Sequence, residues 1–123
     1  MKYLFVYGTL KNNKGLLKDC TFIATVNTHD IYEMYLSLGS LSYPALVQDD
    51  NGRSIKGELY EVPDSTIKLL DQYEDAPYLF KLEEIELQDS GDAYFSELKV
   101  YTYIYQKSTD NMEKSELNYF KID

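Results

Sequence analysis

The sequence predicts an α+β protein built on a small closed or half-closed β-barrel. Three observations carry that expectation. About seven short runs rich in Val, Ile, Tyr, Phe and Leu are punctuated by Gly, Pro, Asn and Asp, as consecutive strands are. Only one stretch, from Asp64 to about Glu74, has a clear helical period, and it follows most of the strands. Strands in series with a helix late in the chain fit a sheet curled on itself better than alternating parallel layers. With 123 residues and no linker, repeat or low-complexity segment, one domain over 1–123 is expected, its core in 1–106 and a polar C-terminal tail in 107–123.

The elements follow in order. Tyr3-Leu4-Phe5-Val6-Tyr7 is too short for a stable helix and has the composition of a buried strand; it ends at Gly8. A polar loop covers 11–15. Residues 20–26 and 31–36 read as strands, the second broken by Gly39-Ser40. Residues 43–47 form another, with Pro44 confined to its start or an edge. Asp49-Asp50-Asn51-Gly52 is the strongest turn signal, and the alternating run 55–62 is expected to pair back across it as a hairpin. Pro63-Asp64-Ser65-Thr66 opens the helix, with Asp64 or Ser65 as N-cap, and Pro77 stops it. Residues 80–87 form a strand, and 88–92 a turn around Gly91. In 98–105, Tyr101, Tyr103 and Tyr105 alternate with Val100, Thr102 and Ile104, so both faces should be covered, as in a central or barrel strand. A short helix is expected over 112–120.

Composition narrows the function. A net charge of −9 argues against nucleic acid and against anionic membrane surfaces. The single cysteine, Cys20, precludes an intramolecular disulfide, and no apolar run reaches the roughly 18 residues of a membrane span. No signal peptide is visible, so a cytoplasmic protein is expected. His29 is the only histidine, which leaves almost no material for a histidine-based metal site or triad. There is no Gly-x-Ser-x-Gly elbow around Ser40 and Ser42, and no phosphate loop or dinucleotide fingerprint.

Two features carry chemistry. Gly8 ends the first strand, either as an ordinary strand-to-loop glycine or as a point where backbone amides and a ligand approach closely. On the helix, Ile67, Leu70 and Glu74 share one stripe, while Asp71 and Asp75 point elsewhere, toward solvent. Either the helix frays at Glu74 and its side chain turns to water, or burial beside the negative end of the helix raises its pKa toward that of a general base.

Val6-Tyr7-Gly8-Thr9-Leu10, Tyr43-Pro44-Ala45-Leu46-Val47, Gly57-Glu58-Leu59-Tyr60-Glu61-Val62 and Leu70-Asp71-Gln72-Tyr73-Glu74, in that order, resemble the gamma-glutamylcyclotransferase-like family, which includes gamma-glutamylamine cyclotransferases and avirulence-induced-gene-like proteins. The resemblance implies a small mixed β-barrel with flanking helices. It also implies an enzyme that converts a γ-glutamyl amine or γ-glutamyl amino acid to 5-oxoproline and free amine. No cofactor or metal is implied, because the nucleophile belongs to the substrate. The implied partner is a small γ-glutamyl molecule, cradled by Tyr7, Gly8, Thr9 and Leu10, with Glu74 as general base and then acid. Since Arg53 is the only arginine, backbone amides are the expected ligands of the substrate's carboxylate. The chain departs from the family pattern at Asp75, where relatives often have Gly, and at Phe80-Lys81-Leu82, where many have Tyr-x-Arg, with Tyr78 offset by two. These departures motivate the alternative of a non-catalytic small-molecule-binding module that keeps the cradle without turnover.

Overall fold

The structure is a computed structural model and describes residues 1–8, 10, 15–38 and 43–121. Among the described residues there are eight strands and one α-helix: β1 (Lys2–Val6), β2 (Thr21–Asn27), β3 (Tyr32–Leu36), β4 (Pro44–Gln48), β5 (Lys56–Val62), α1 (Asp64–Tyr73), β6 (Phe80–Ile85), β7 (Val100–Tyr105) and β8 (Glu113–Lys114). One 3₁₀ turn, Phe95–Glu97, precedes β7. The strands form a curled, half-barrel mixed sheet in the order β2-β5-β1-β7-β4-β3-β8, with β6 on the other edge of β7. The segments that follow β2 and β6 meet at a bridge, Thr28 to Leu87, where the Gln88 N–H donates to the Asn27 carbonyl at 2.9 Å.

β1 lies between β5 and β7, which explains its unbroken apolar run. Phe5 faces one core cluster with Val26, Met34, Leu46 and Val100. Leu4 and Val6 face the other, which takes in Ile67 and Leu70 of α1 and Phe80 and Tyr103. The two buried faces predicted for β7 are present: none of its residues is exposed, and Val100, Thr102 and Tyr103 are buried. No helix among the described residues is long and apolar enough to cross a membrane.

Three local expectations are corrected. The strand after the 49–52 turn does not pair back on β4. β5 runs antiparallel to β1 and β2, and β4 pairs with β3 and β7. The turn does form, with the Gly52 N–H on the Asp49 carbonyl at 2.8 Å, but the Arg53 N–H then goes to Tyr32 and the Ile55 N–H to the Thr28 hydroxyl, drawing the chain toward β2. Gly57 leaves room for Phe5: a Cβ there would lie 2.6 Å from its ring. Secondly, neither Asp64 nor Ser65 caps α1. Pro63 holds the N-cap position without a side-chain bond, and its carbonyl receives the Thr66 and Ile67 N–H groups. Thirdly, residues 112–120 contain the short strand β8 instead of a helix. The reason lies in long-range partners: the Arg53 guanidinium donates to the Ser115, Glu116 and Leu117 carbonyls, and the Ser115 N–H reaches Met34. Arg53 is itself held by the buried Glu33, Nε to Oε1 at 2.8 Å. The predicted loop at 11–15 and break at Gly39-Ser40 lie largely outside the described residues.

α1 ends in a way that explains Asp75. The Asp75 N–H bonds the Gln72 carbonyl, the Ala76 N–H reaches back to Asp71, and Asp75 has φ 51°. This is a left-handed closing turn in which glycine is the usual residue. Asp is among the side chains that tolerate the conformation, so the departure from Gly is a local change in cost. Asp75→Gly is expected to keep or raise stability by up to about 1 kcal/mol, and Asp75→Val to lower it by about 1–2 kcal/mol, read by urea unfolding.

Candidate active site

β7 changes partner along one edge. β1 runs parallel to it at Tyr3↔Val100 and Leu4↔Tyr101, and β4 at Leu46↔Ile104, while β6 occupies the other edge throughout. Tyr7 stands where β1 gives way to β4. Its hydroxyl donates to the Tyr103 carbonyl at 2.6 Å and accepts the Leu46 N–H at 3.3 Å. Burial pushes the phenol far above its usual range, and the Glu74 charge adds to this, so the donated proton stays in place.

A cavity of about 200 Å³ opens beside this junction. Its lining takes in Phe5 to Gly8 and Leu10 from the first strand and the segment after it, Tyr43 and Pro44 at the start of β4, Tyr73 and Glu74 at the end of α1, Leu79 and Phe80 at the start of β6, and Thr102 and Tyr103 of β7. Thr9 lies outside the described residues. The helix period accounts for Glu74: Ile67 and Leu70 are buried, and Glu74 follows Leu70 by one turn, with its N–H on the Leu70 carbonyl at 2.8 Å. The carboxylate therefore enters the cavity and does not fray into water. Burial raises its pKa from 4.5 to about 7.

Gly8 is required by crowding. Its φ is not left-handed; a Cβ there would meet Pro44 Cγ at 2.7 Å. Gly8→Val should cost about 1–3 kcal/mol in urea unfolding and displace Pro44 into the cavity.

Asp71 corrects the expectation of a solvated side chain: its Oδ1 accepts the Tyr103 hydroxyl at 2.8 Å. Burial first, and then Asp71, push the Tyr103 phenol far up, with a smaller contribution from Glu74. Alternation with Tyr101 and Tyr105 marks Tyr103 only as a residue on a covered face of its strand, as packing residues are. The available signal was Asp71 itself, three residues before Glu74 on a helix and hence a near neighbour of its face. Asp75, Tyr78 and Lys81 are exposed, and none of them lines the cavity; Phe80 does. Cys20 and His29 are also absent from its wall, and burial pushes the Cys20 thiol up, away from the thiolate. Among the described residues no three His, Cys, Asp or Glu side chains converge to hold a metal.

Known proteins resemble this chain along most of its length. Residues 4–121 match the family described as gamma-glutamyl cyclotransferase, AIG2-like. A Methanocaldococcus jannaschii protein named for the same activity is 32% identical over 113 residues, covering 88% of each chain. The gamma-glutamylaminecyclotransferase A of Danio rerio is 30% identical over 106 residues, which are 74% of this chain and 65% of that one. The crystal structure of an AIG2-like protein from Mus musculus superposes with a TM-score of 0.63 at 25% identity, over 89% of this chain and 78% of that one. The site at the end of β1 and its helical carboxylate thus sit in a chain that belongs to the gamma-glutamyl cyclotransferase, AIG2-like family.

Proposed function

We propose that the protein is a cofactor-free cyclotransferase that releases 5-oxoproline and a free amine from a γ-glutamyl amine or γ-glutamyl amino acid. The observation that carries this is Glu74, a largely buried carboxylate whose pKa is raised to about 7, in a cavity that Tyr7 and Gly8 at the end of β1 also line. A group near 7 can both take and return a proton at neutral pH. Glu74 removes a proton from the substrate's α-ammonium. The freed nitrogen attacks the γ-carbonyl carbon, a five-membered ring forms, and the bond from that carbon to the leaving nitrogen breaks. Glu74 returns its proton to the departing amine, and the ring nitrogen, which still carries two hydrogens after the attack, gives one up through Glu74 to solvent. Holding the nucleophile near its own carbonyl supplies much of the acceleration, so the reaction itself calls for no cofactor.

The cradle is Tyr7, Gly8, Thr9 and Leu10, whose backbone amides bind the α-carboxylate. Tyr7 contributes its ring and backbone, since its hydroxyl is committed to Tyr103 and Leu46. Arg53 is held by Glu33 and the 115–117 carbonyls and is absent from the described cavity lining, which supports carboxylate binding by amides. The lone Cys20 accords with a cytoplasmic setting.

The test is a panel of γ-glutamyl amino acids and γ-glutamylamines, with 5-oxoproline and amine quantified together. Equimolar release from at least one compound is expected, with kcat/KM rising with pH around 7 as Glu74 ionises. A protein that binds a panel member but turns over none would be the non-catalytic module instead.

A further inference from the structure

Tyr103 and Glu74 both line the cavity, and Asp71 holds the Tyr103 hydroxyl. Asp71 and Glu74 lie about one turn apart on α1, and Tyr103 reaches across from β7. A phenolic hydroxyl has one hydrogen and can also accept. At Tyr103 that hydrogen is directed to Asp71 Oδ1 at 2.8 Å, so what remains for the cavity is an acceptor. The second deeply buried phenol lining this cavity, Tyr7, is occupied both as donor and as acceptor. Within this pair only Tyr103 has capacity left, and only for a donor. The donors in a γ-glutamyl substrate are its α-ammonium and its amide N–H, and of the two the charged ammonium makes the stronger bond to an acceptor.

We propose that Asp71 fixes the Tyr103 hydroxyl as a hydrogen-bond acceptor, so that Tyr103 and Glu74 together receive the substrate's α-amino group. Tyr103 accepts one N–H and orients the nitrogen, and Glu74 takes the proton that leaves. Asp71 touches no substrate atom and is a positioning residue. It has a second effect. By holding the Tyr103 hydrogen, it keeps that hydrogen from stabilising the ionised Glu74, which preserves the basicity that the reaction needs. This rests on the cyclotransferase reading above.

The test pairs a titration with kinetics. The Glu74 carboxyl is followed by ¹³C NMR in the wild type, Asp71→Ala, Tyr103→Phe and the double variant. The ionisable groups around Glu74 are Tyr7 from β1, Tyr43 ahead of β4, Tyr103 from β7, and Asp71 and Tyr73 from α1. All except Asp71 and Tyr103 are unchanged throughout the series. Whatever the loss of the Asp71 charge does to the Glu74 midpoint, it does in both Asp71 variants alike. Only Asp71→Ala also frees the Tyr103 hydrogen for Glu74, so its midpoint should fall below that of the double variant by about half a pH unit or more. Coincident midpoints would overturn the proposal.

In kinetics, Tyr103→Phe should raise KM about tenfold or more with a smaller change in kcat, as expected for a lost bond to a charged group. Asp71→Asn, whose amide oxygen still accepts the hydroxyl hydrogen, should keep KM within about threefold. An unchanged KM in Tyr103→Phe, with an active wild type and an inactive Glu74→Gln, sinks this inference and leaves the cyclotransferase reading standing. A wild type inert on the whole panel sinks that reading together with the substrate contact, and the NMR pair still decides whether Asp71 orients Tyr103.

Discussion

Glu74→Gln is expected to lower kcat for 5-oxoproline release by about 10²–10⁴-fold, while making the folded protein more stable at alkaline pH. The two effects share one cause. Glutamine fills the same space but can neither take the ammonium proton nor return one to the leaving nitrogen. It also removes a buried charge. In the folded chain burial raises the Glu74 pKa from 4.5 to about 7. Below about pH 4.5 both folded and unfolded chains carry the proton, and the carboxyl costs nothing. Between there and about 7 the unfolded chain loses its proton first, so wild-type stability falls as pH rises. Above about 7 the full cost is present. At about 1.4 kcal/mol for each tenfold difference in proton affinity between the folded and unfolded chains, and with allowance for partial exposure, it comes to roughly 2–3 kcal/mol. Urea unfolding of the two proteins should therefore give similar stabilities at pH 4 and a more stable Gln variant at pH 8. A Gln variant with wild-type kcat would remove Glu74 from the mechanism. Parallel stabilities at both pH values would show that the carboxylate is not buried.

The elements most legible in the sequence were those whose causes are local. The run 3–7 marked itself as a strand because β1 is covered on both faces, and the helix stripe of Ile67 and Leu70 led to Glu74 because a helix repeats its faces every three to four residues. What stayed hidden depends on partners far along the chain. A turn signal at Asn51-Gly52 says that the chain reverses there, but not which strand receives it. That was decided by Tyr32, Thr28 and the space that Gly57 leaves for Phe5. The 112–120 segment looked helical in isolation, and its fate was set by Arg53, whose guanidinium gathers three of its carbonyls. At the site, Glu74 stood out because a carboxylate on an apolar stripe breaks a pattern. Tyr103 broke none, and the spacing of Asp71 from Glu74 marked the two as neighbours on the helix without showing that Asp71 holds Tyr103. Gly8 was legible as a special position but for an incomplete reason: the crowding comes from Pro44, a residue that no local pattern connects to it.

Tyr7→Phe is the substitution expected to cost most in stability for the fewest atoms removed. A sheet in which one strand replaces another beside a common neighbour has a gap in its ladder, and polar backbone groups at such a gap need other partners. Here the Tyr7 hydroxyl serves both sides of the gap, donating to the Tyr103 carbonyl on β7 and accepting the Leu46 N–H on β4. Both partners are buried, Leu46 fully and Tyr103 nearly so, and water has little access to replace the hydroxyl. Phenylalanine keeps the ring and its packing against Phe5 but deletes both bonds. At about 1–2 kcal/mol for each group left short of a partner, the loss is about 2–4 kcal/mol in urea unfolding. The consequence for catalysis differs from that of Glu74→Gln. Loosening the junction lets β4, and with it Pro44 and Tyr43, move relative to the Gly8 wall, so KM should rise more than kcat falls. Amide exchange should report the same event, with the Leu46 N–H losing protection in Tyr7→Phe while β2 and β5, on the far side of β1, keep theirs. A Phe variant as stable as the wild type, with Leu46 still protected, would mean that the ladder closes without the hydroxyl, and Tyr7 would then count only as a ring in the cavity wall.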